Sequence, residues 1–266
     1  MLTLEQTAAV SLFSFVAGFV DSIVGGGGLI QLPALFIFLP AAPVPLIFGT
    51  NKLASIAGTS VAMVRYSSSV GIQWRRVLPG AVCAALFSSL GAYTLKLVSQ
   101  ATRAYFRPVV LFLLIGVALY TFTTKSFGAR AGEKLFGDRE RWISLAIGAG
   151  IGFYDGFFGP GTGSFLIFLF VGFFGLTFLE ASAEAKVVNF ATNLAAVTYF
   201  AATRNILYEL ALPMAACNIL GALAGTRLAV ARGNRLVRTL FLLVIAAVIA
   251  RFGYDTLGPL IRGRAP

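Results

Sequence analysis

The chain has 266 residues, a net charge of +11 and a mean hydropathy of +0.87, with 58% of residues hydrophobic and 12% charged. A soluble domain carries about 25% charged residues, so half that fraction, spread among long apolar runs, excludes an ordinary soluble domain and places the chain in lipid. The surplus arginine and lysine lies mostly between apolar runs, where it orients a membrane protein and meets anionic headgroups; no nucleic-acid partner is expected.

Residues 6–24 form the first apolar run, long enough to span at about 1.5 Å per residue. Met1 to Gln6 has no basic n-region, so no cleavable signal peptide is expected. The tetraglycine Gly25, Gly26, Gly27, Gly28 interrupts the run. Leu29 to Leu39 continues it but is too short to cross, and Pro40, Pro43 and Pro45 end it. Leu46 to Ser67 follows and contains Gly49-Thr50-Asn51-Lys52. A loop with Gly71, Arg75 and Arg76 leads to Val77–Val98, and Arg103 and Arg107 precede a last segment, Pro108–Thr124. Lys125–Arg141 is markedly polar and reads as a linker, giving a first repeat at 1–124, a linker at 125–141 and a second repeat at 142–266.

The second half repeats the first without a gap. Asp21, Gly25, Gly27, Lys52, Pro79, Cys83 and Gly91 stand 134 residues before Asp155, Gly159, Gly161, Lys186, Pro213, Cys217 and Gly225. Matching apolar residues occur by chance, but Asp, Lys, Pro, Cys and several Gly in one frame do not. The expected fold is an all-α polytopic membrane protein of two homologous halves. Each half has a Gly-broken helix or re-entrant hairpin plus three transmembrane helices, about 8–10 membrane segments in total. If the glycine run turns the chain back, each half crosses an odd number of times and the repeats are inverted; if the first run spans, they are parallel. The inverted count is preferred, because broken helices paired across a pseudo-two-fold axis are the usual transporter device. It puts both termini on the periplasmic side and Arg65, Arg75, Arg76, Arg227, Arg232, Arg235 and Arg238 on the other.

Glycine leaves its amide uncovered, and a glycine run just before a helix presents bare N–H groups at that helix's positive end, an anion site. Irregular backbone survives at membrane depth only in protein contact or against a water-filled cavity. Helical rise puts Gly28 about 17 Å from the proline cluster and Lys52 about 9 Å from Leu46, so both fall in the middle of the bilayer. A lysine there costs about 2.5–3.5 kcal/mol, which a substrate anion or a carboxylate would offset. The candidate substrate residues are therefore Gly25, Gly26, Gly27, Gly28, Thr50, Asn51 and Lys52, and in the second half Gly159, Gly161, Lys186, Asn189 and Asn193, with Ser55 and Thr192 as nearby neutral groups. Two readings stay open beside it. Lys52 with Asp21, and Lys186 with Asp155, would make structural ion pairs; or Asp21 and Asp155 carry coupling protons or serve as counter-charges. Close helix packing explains Gly148/Gly152 and Gly221/Gly225 by their small-xxx-small spacing. Cys83 and Cys217 read as small packing residues, Trp74 and Tyr208 as interfacial aromatics, and Arg65 as a membrane-edge anchor. With no histidine, the commonest general base and metal ligand is missing, so neither a metal nor another cofactor is expected.

Gly18 to Gly28, with Asp21 and the glycine run, followed by Gly49-Thr50-Asn51-Lys52, resembles the TauE/SafE (TSUP) family of sulfite and organosulfonate permeases. Counting the second copy, the likeness covers nearly the whole chain. It implies a bacterial inner-membrane transporter of a small sulfur-containing anion such as sulfite or sulfoacetate, with the glycine runs and lysine motifs as the substrate region. The second copy departs from the first: Ala183-Glu184-Ala185-Lys186 replaces Gly-Thr-Asn-Lys, and Pro160 and Thr162 interrupt the glycines. Glu184 would disfavour an anion unless it is neutral or points away. The expected activity is transport by alternating access, not catalysis, with the bilayer and a small anion as partners and room for a homodimer. A carboxylate permease, a channel or sensor of the same shape, and an intramembrane enzyme are the alternatives.

Overall fold

The computed structural model describes residues 3–98, 128 and 137–261; the expected segment Pro108–Thr124 and most of the linker lie outside them. The described residues form eight helices and no strand. The first half contributes α1 (Leu4–Val24), α2 (Gly28–Phe38), α3 (Val44–Ser69) and α4 (Trp74–Val98). The second contributes α5 (Asp138–Phe157), α6 (Thr162–Phe174), α7 (Phe178–Ala202) and α8 (Tyr208–Ile261), the last kinked at Gly233, where φ is 68°. Among these, α1, α4 and α8 are long and apolar enough to cross a membrane, while α2 and α6 are apolar but short. The chain is an all-α polytopic membrane protein.

The helix ends follow from local chemistry. Thr3 and Gln6 close a capping box on α1, and Thr177 and Glu180 do the same on α7. Pro43 and Pro45 start α3, where a missing N–H costs nothing. Gly25 and Gly26 (φ 74° and 87°) end α1, and Gly159 and Gly161 (both φ 82°) separate α5 from α6. These are left-handed conformations that side chains resist. Both expected breaks are therefore real, with α2 and α6 restarting directly after them.

Contacts between the halves obey the 134-residue frame. Gly18 lies against Asn218 and Gly152 against Ala84; Gly91 lies against Phe153 and Phe157, and Gly225 against Phe19 and Ile23. Each pair is the image of the other with the halves exchanged. Successive contacts set the helix directions. Gly80, Ala84 and Ser88 meet Gly148, Gly152 and Gly156 in rising order, so α4 and α5 run parallel; Phe15 and Phe19 meet Gly221 and Gly225, so α1 and the first part of α8 do too. The pairs expected from small-residue spacing, Gly148/Gly152 and Gly221/Gly225, are the ones in these seams. Gly49, near the start of α3, meets Phe200 and Asn205 at the end of α7. Tyr66, near the end of α3, and Ser182, near the start of α7, donate to neighbouring carbonyls of α1, Ser22 and Ile23, at 2.8 and 2.7 Å. The equivalent helices α3 and α7 therefore run antiparallel. Cys83 and Cys217 are free and partly buried. Trp74 and Tyr208 open α4 and α8 and are half exposed.

Candidate functional site

The two glycine breaks touch. A Cβ on Gly163, in the first turn of α6, would lie 2.6 Å from the Gly25 Cα and 3.0 Å from Asn189 Nδ2, and one on Gly28 would lie 3.3 Å from the Pro160 Cα. Ser164 donates to the Val24 carbonyl at 3.0 Å. The α1/α2 break and the α5/α6 break thus share one place between α3 and α7, and a cavity of about 30 Å³ opens there. Space for a water needs about 10–15 Å³, so this cavity has room for about two waters.

The lysines pair across the halves. Lys52 Nζ is 2.5 Å from Asp155 Oδ2 and 3.0 Å from Asn193 Oδ1. Lys186 Nζ is 2.9 Å from Asp21 Oδ2 and also donates to the Asp21 carbonyl. The within-half pairing of Lys52 with Asp21 and Lys186 with Asp155 is thereby corrected. The break carries each aspartate toward the lysine-bearing helix of the opposite half. Sequence separation conceals such a pairing, since the partners stand 103 and 165 residues apart. Both ammonium groups are buried, with side-chain exposures of 3% for Lys52 and 0% for Lys186, and neither points into bulk solvent.

Each aspartate has a second role at its own break. Asp21 Oδ1 accepts the Gly27 N–H at 3.2 Å, at the start of α2. Asp155 Oδ1 is 2.7 Å from Thr162 Oγ1, in the first residue of α6. At α2 the protein's own carboxylate thus meets a backbone N–H of the positive helix end, while at α6 it meets the hydroxyl of the first helical residue. Two lysines and two aspartates balance, so the paired site carries no net charge.

Of the expected substrate residues, Gly26, Gly28, Asn51 and Lys52 from the first half and Gly159, Gly161, Asn189 and Asn193 from the second line the cavity, with Asp21 and Asp155. Asn51 is 4% exposed and its Oδ1 has no hydrogen-bond partner among the described residues. Gly25 is a packing surface for Gly163, Gly27 is capped by Asp21, and Lys186 stands behind Asp21 instead of on the cavity wall. Thr50 turns away: its hydroxyl donates to the Leu46 carbonyl at 2.7 Å and accepts the Leu207 N–H at 3.0 Å. Glu184 turns away as well and pairs with Arg76. Its negative charge therefore does not face the cavity. Sequence reasoning missed Thr59, Thr162 and Gly163 as wall residues. Thr162 had a readable signal, being a hydroxyl in the first turn after a glycine break; Thr59 had none, because it lies two turns beyond Lys52 in an ordinary helical stretch.

The profile of the family described as Sulfite exporter TauE/SafE matches residues 10–252. A protein of Haemophilus influenzae named "Probable membrane transporter protein" is 33% identical over 95% of this chain and 96% of its own length. One of a Sinorhizobium species, "Probable membrane transporter protein ORF9", is 34% identical over 97% of each. "Probable membrane transporter protein YfcA" of Escherichia coli is 30% identical over 92% of this chain and 88% of its own length. No solved structure matches the chain. With the two repeated glycine breaks meeting at one cavity, and a family profile that spans nearly every helix, the chain belongs to the TauE/SafE family.

Proposed function

We propose that this protein is a secondary transporter of a small sulfur-containing anion, such as sulfite or an organosulfonate, working by alternating access around the midplane cavity. The observation that carries the reading is the pair of cross-half contacts, Lys52 with Asp155 and Lys186 with Asp21, set against two helix starts that touch. An anion entering this cavity finds an ammonium group, the Asn51 and Asn193 amides and helix N-termini, and takes the place of a carboxylate already seated there. Asp21 and Asp155 are the counter-charges that the anion displaces. A displaced aspartate is also the group in position to carry a coupling proton with the anion, the role that Asp21→Asn tests.

The geometry also supports inverted repeats. Equivalent helices α3 and α7 run antiparallel, and a pseudo-two-fold axis relating them lies in the membrane plane. Most of the described arginines gather at one end of the bundle, whereas Arg204, just past the end of α7, stands at the other. Arg65 follows Lys52 along α3, Arg75 and Arg76 open α4, Arg139 and Arg141 open α5, and Arg227, Arg232 and Arg235 follow Gly225, which lies against the end of α1. On the positive-inside rule we read that end as cytoplasmic in a bacterial inner membrane, with the start of α1 on the periplasmic side.

Thermal unfolding of the purified protein, screened against sulfite, thiosulfate, sulfoacetate, taurine, sulfate and small carboxylates, tests the substrate. A sulfur oxyanion or sulfonate raises Tm in the parent, and Lys52→Ala abolishes that rise. A rise with carboxylates alone moves the assignment to that class. Equal rises in parent, Lys52→Ala and Lys52→Arg defeat the site.

A further inference from the structure

The same hydrogen bond is made twice, once at each end of the α3/α7 pair. Ahead of α4, the Gln73 N–H donates to Glu184 Oε1 at 3.3 Å; ahead of α8, the Leu207 N–H donates to Thr50 Oγ1 at 3.0 Å. Gln73 and Leu207 are 134 residues apart, as are Thr50 and Glu184. In both cases the acceptor belongs to the opposite half and sits two residues before the site lysine. Two residues turn a helix by about 200°, so lysine and acceptor face opposite ways, one toward the cavity and the other toward the neighbouring helix.

The chemistry around the two bonds differs. Glu184 Oε2 takes the Arg76 Nε–H at 2.9 Å, and Oε1 takes an Nη2 proton of the same guanidinium. Arg76 Nη1 reaches Glu140 Oε1 of α5 at 3.1 Å, and the guanidinium lies 5.5 Å from the centre of the Phe174 ring, at the end of α6. Ser144 of α5 donates to the Arg76 carbonyl at 2.7 Å. One arginine therefore ties α4 to α5, α6 and α7. At the other end the frame puts Leu210 where Arg76 stands, Gln6 for Glu140 and Val10 for Ser144. Leu210 and Val10 belong to a dry cluster with Ile47 and Phe48.

We propose that Arg76, Glu184 and Glu140 form the gate of one mouth of the transport path, the mouth at the arginine-rich end, while Thr50 and the apolar cluster around Leu210 close the opposite mouth. The inference rests on the transporter reading and adds the device that makes two related closures unequal. An ionic lock has two advantages at a mouth that must open to water. Its charges are rehydrated on release, whereas an apolar closure exposes hydrophobic surface to water. Its bonds are also directional, so release is a discrete step. Glu184 and Lys186 share the first turns of α7. A shift of that segment as Lys186 exchanges Asp21 for an anion therefore acts on the Glu184 fork, which makes Arg76 and Glu184 positioning residues.

The test uses the full chain with Cys83 and Cys217 replaced by alanine and Thr59→Cys as a reporter on the cavity wall. A membrane-impermeant thiol reagent is applied to right-side-out and inside-out vesicles. Glu184→Gln and Arg76→Gln raise the labelling rate about tenfold or more from the arginine-rich side, since each removes a charge-assisted bond, and leave the rate from the other side unchanged. Glu140→Gln, which removes one arm of a partly exposed group, gives a smaller rise of the same sidedness. Thr50→Val gives none on that side. The charge swap Arg76→Glu with Glu184→Arg brings the rate back toward the parent. Unchanged rates, or equal rises on both sides, overturn the gate. Uptake of labelled sulfite and sulfoacetate into proteoliposomes is read in parallel: a parent without uptake defeats the transporter reading, whereas uptake with no sided change in labelling defeats the gate alone.

Discussion

Lys52 and Asp155 form a buried pair whose removal is asymmetric. Losing one partner leaves an uncompensated charge and costs about 3–5 kcal/mol, whereas losing both is far milder. In detergent, Lys52→Ala and Asp155→Ala each lower the unfolding midpoint strongly, and the double substitution recovers part of the loss. A double-mutant cycle of Lys52 with Asp21 shows weaker coupling than Lys52 with Asp155; the reverse order would restore the within-half pairing. Asp21 makes a separate prediction about coupling. Asp21→Asn keeps the shape of the side chain but no longer takes up a proton, so the pH dependence of transport in proteoliposomes flattens. A profile like the parent's removes Asp21 as a carrier.

At the level of helices, the glycines divide by what lies over them. Gly163 is helical and pays no backbone strain on gaining a methyl group, yet that methyl meets the Gly25 Cα at 2.6 Å. Gly163→Ala therefore forces α6 away from the α1/α2 break and destabilises the protein by about 1–3 kcal/mol, the usual cost of overpacking. Gly150, on α5, has nothing among the described residues within 4 Å of its added Cβ. Gly150→Ala leaves stability unchanged or raises it by up to about 1 kcal/mol through helix propensity. Tm measurements on the two variants check this, and equal effects would mean that the two breaks are not pressed together. The seams of α4 with α5 and of α1 with α8 bring glycine against backbone at several successive turns. Such close backbone contact suits each pair to move as one body while α3 and α7 carry the site lysines.

For the whole molecule, the arrangement predicts sidedness. With Cys83 and Cys217 replaced by alanine, Ser69→Cys at the arginine-rich end is labelled by an impermeant reagent only in inside-out vesicles. Glu5→Cys, in the first turn of α1, is labelled only in right-side-out vesicles. The same side for both would require parallel halves with an even number of crossings. The formal balance of the four site charges, three of them buried and Asp21 partly exposed, belongs to this scale too. It allows the site to be dry without a bound ion and makes transport of an anion a question of what accompanies it.

The amino-acid order by itself determined the lipid setting, the duplication, the two glycine breaks and the residue types of the site. Composition, periodic spacing and the backbone freedom of glycine are local properties, written within a few residues of where they act. Only the tertiary structure decided which aspartate meets which lysine, that Thr50 and Glu184 face away from the cavity, and that Arg76 secures one end alone. Those outcomes depend on how α3 and α7 cross between the breaks of the opposite half. A pseudo-symmetric sequence permits both within-half and cross-half pairing, and packing geometry selects one.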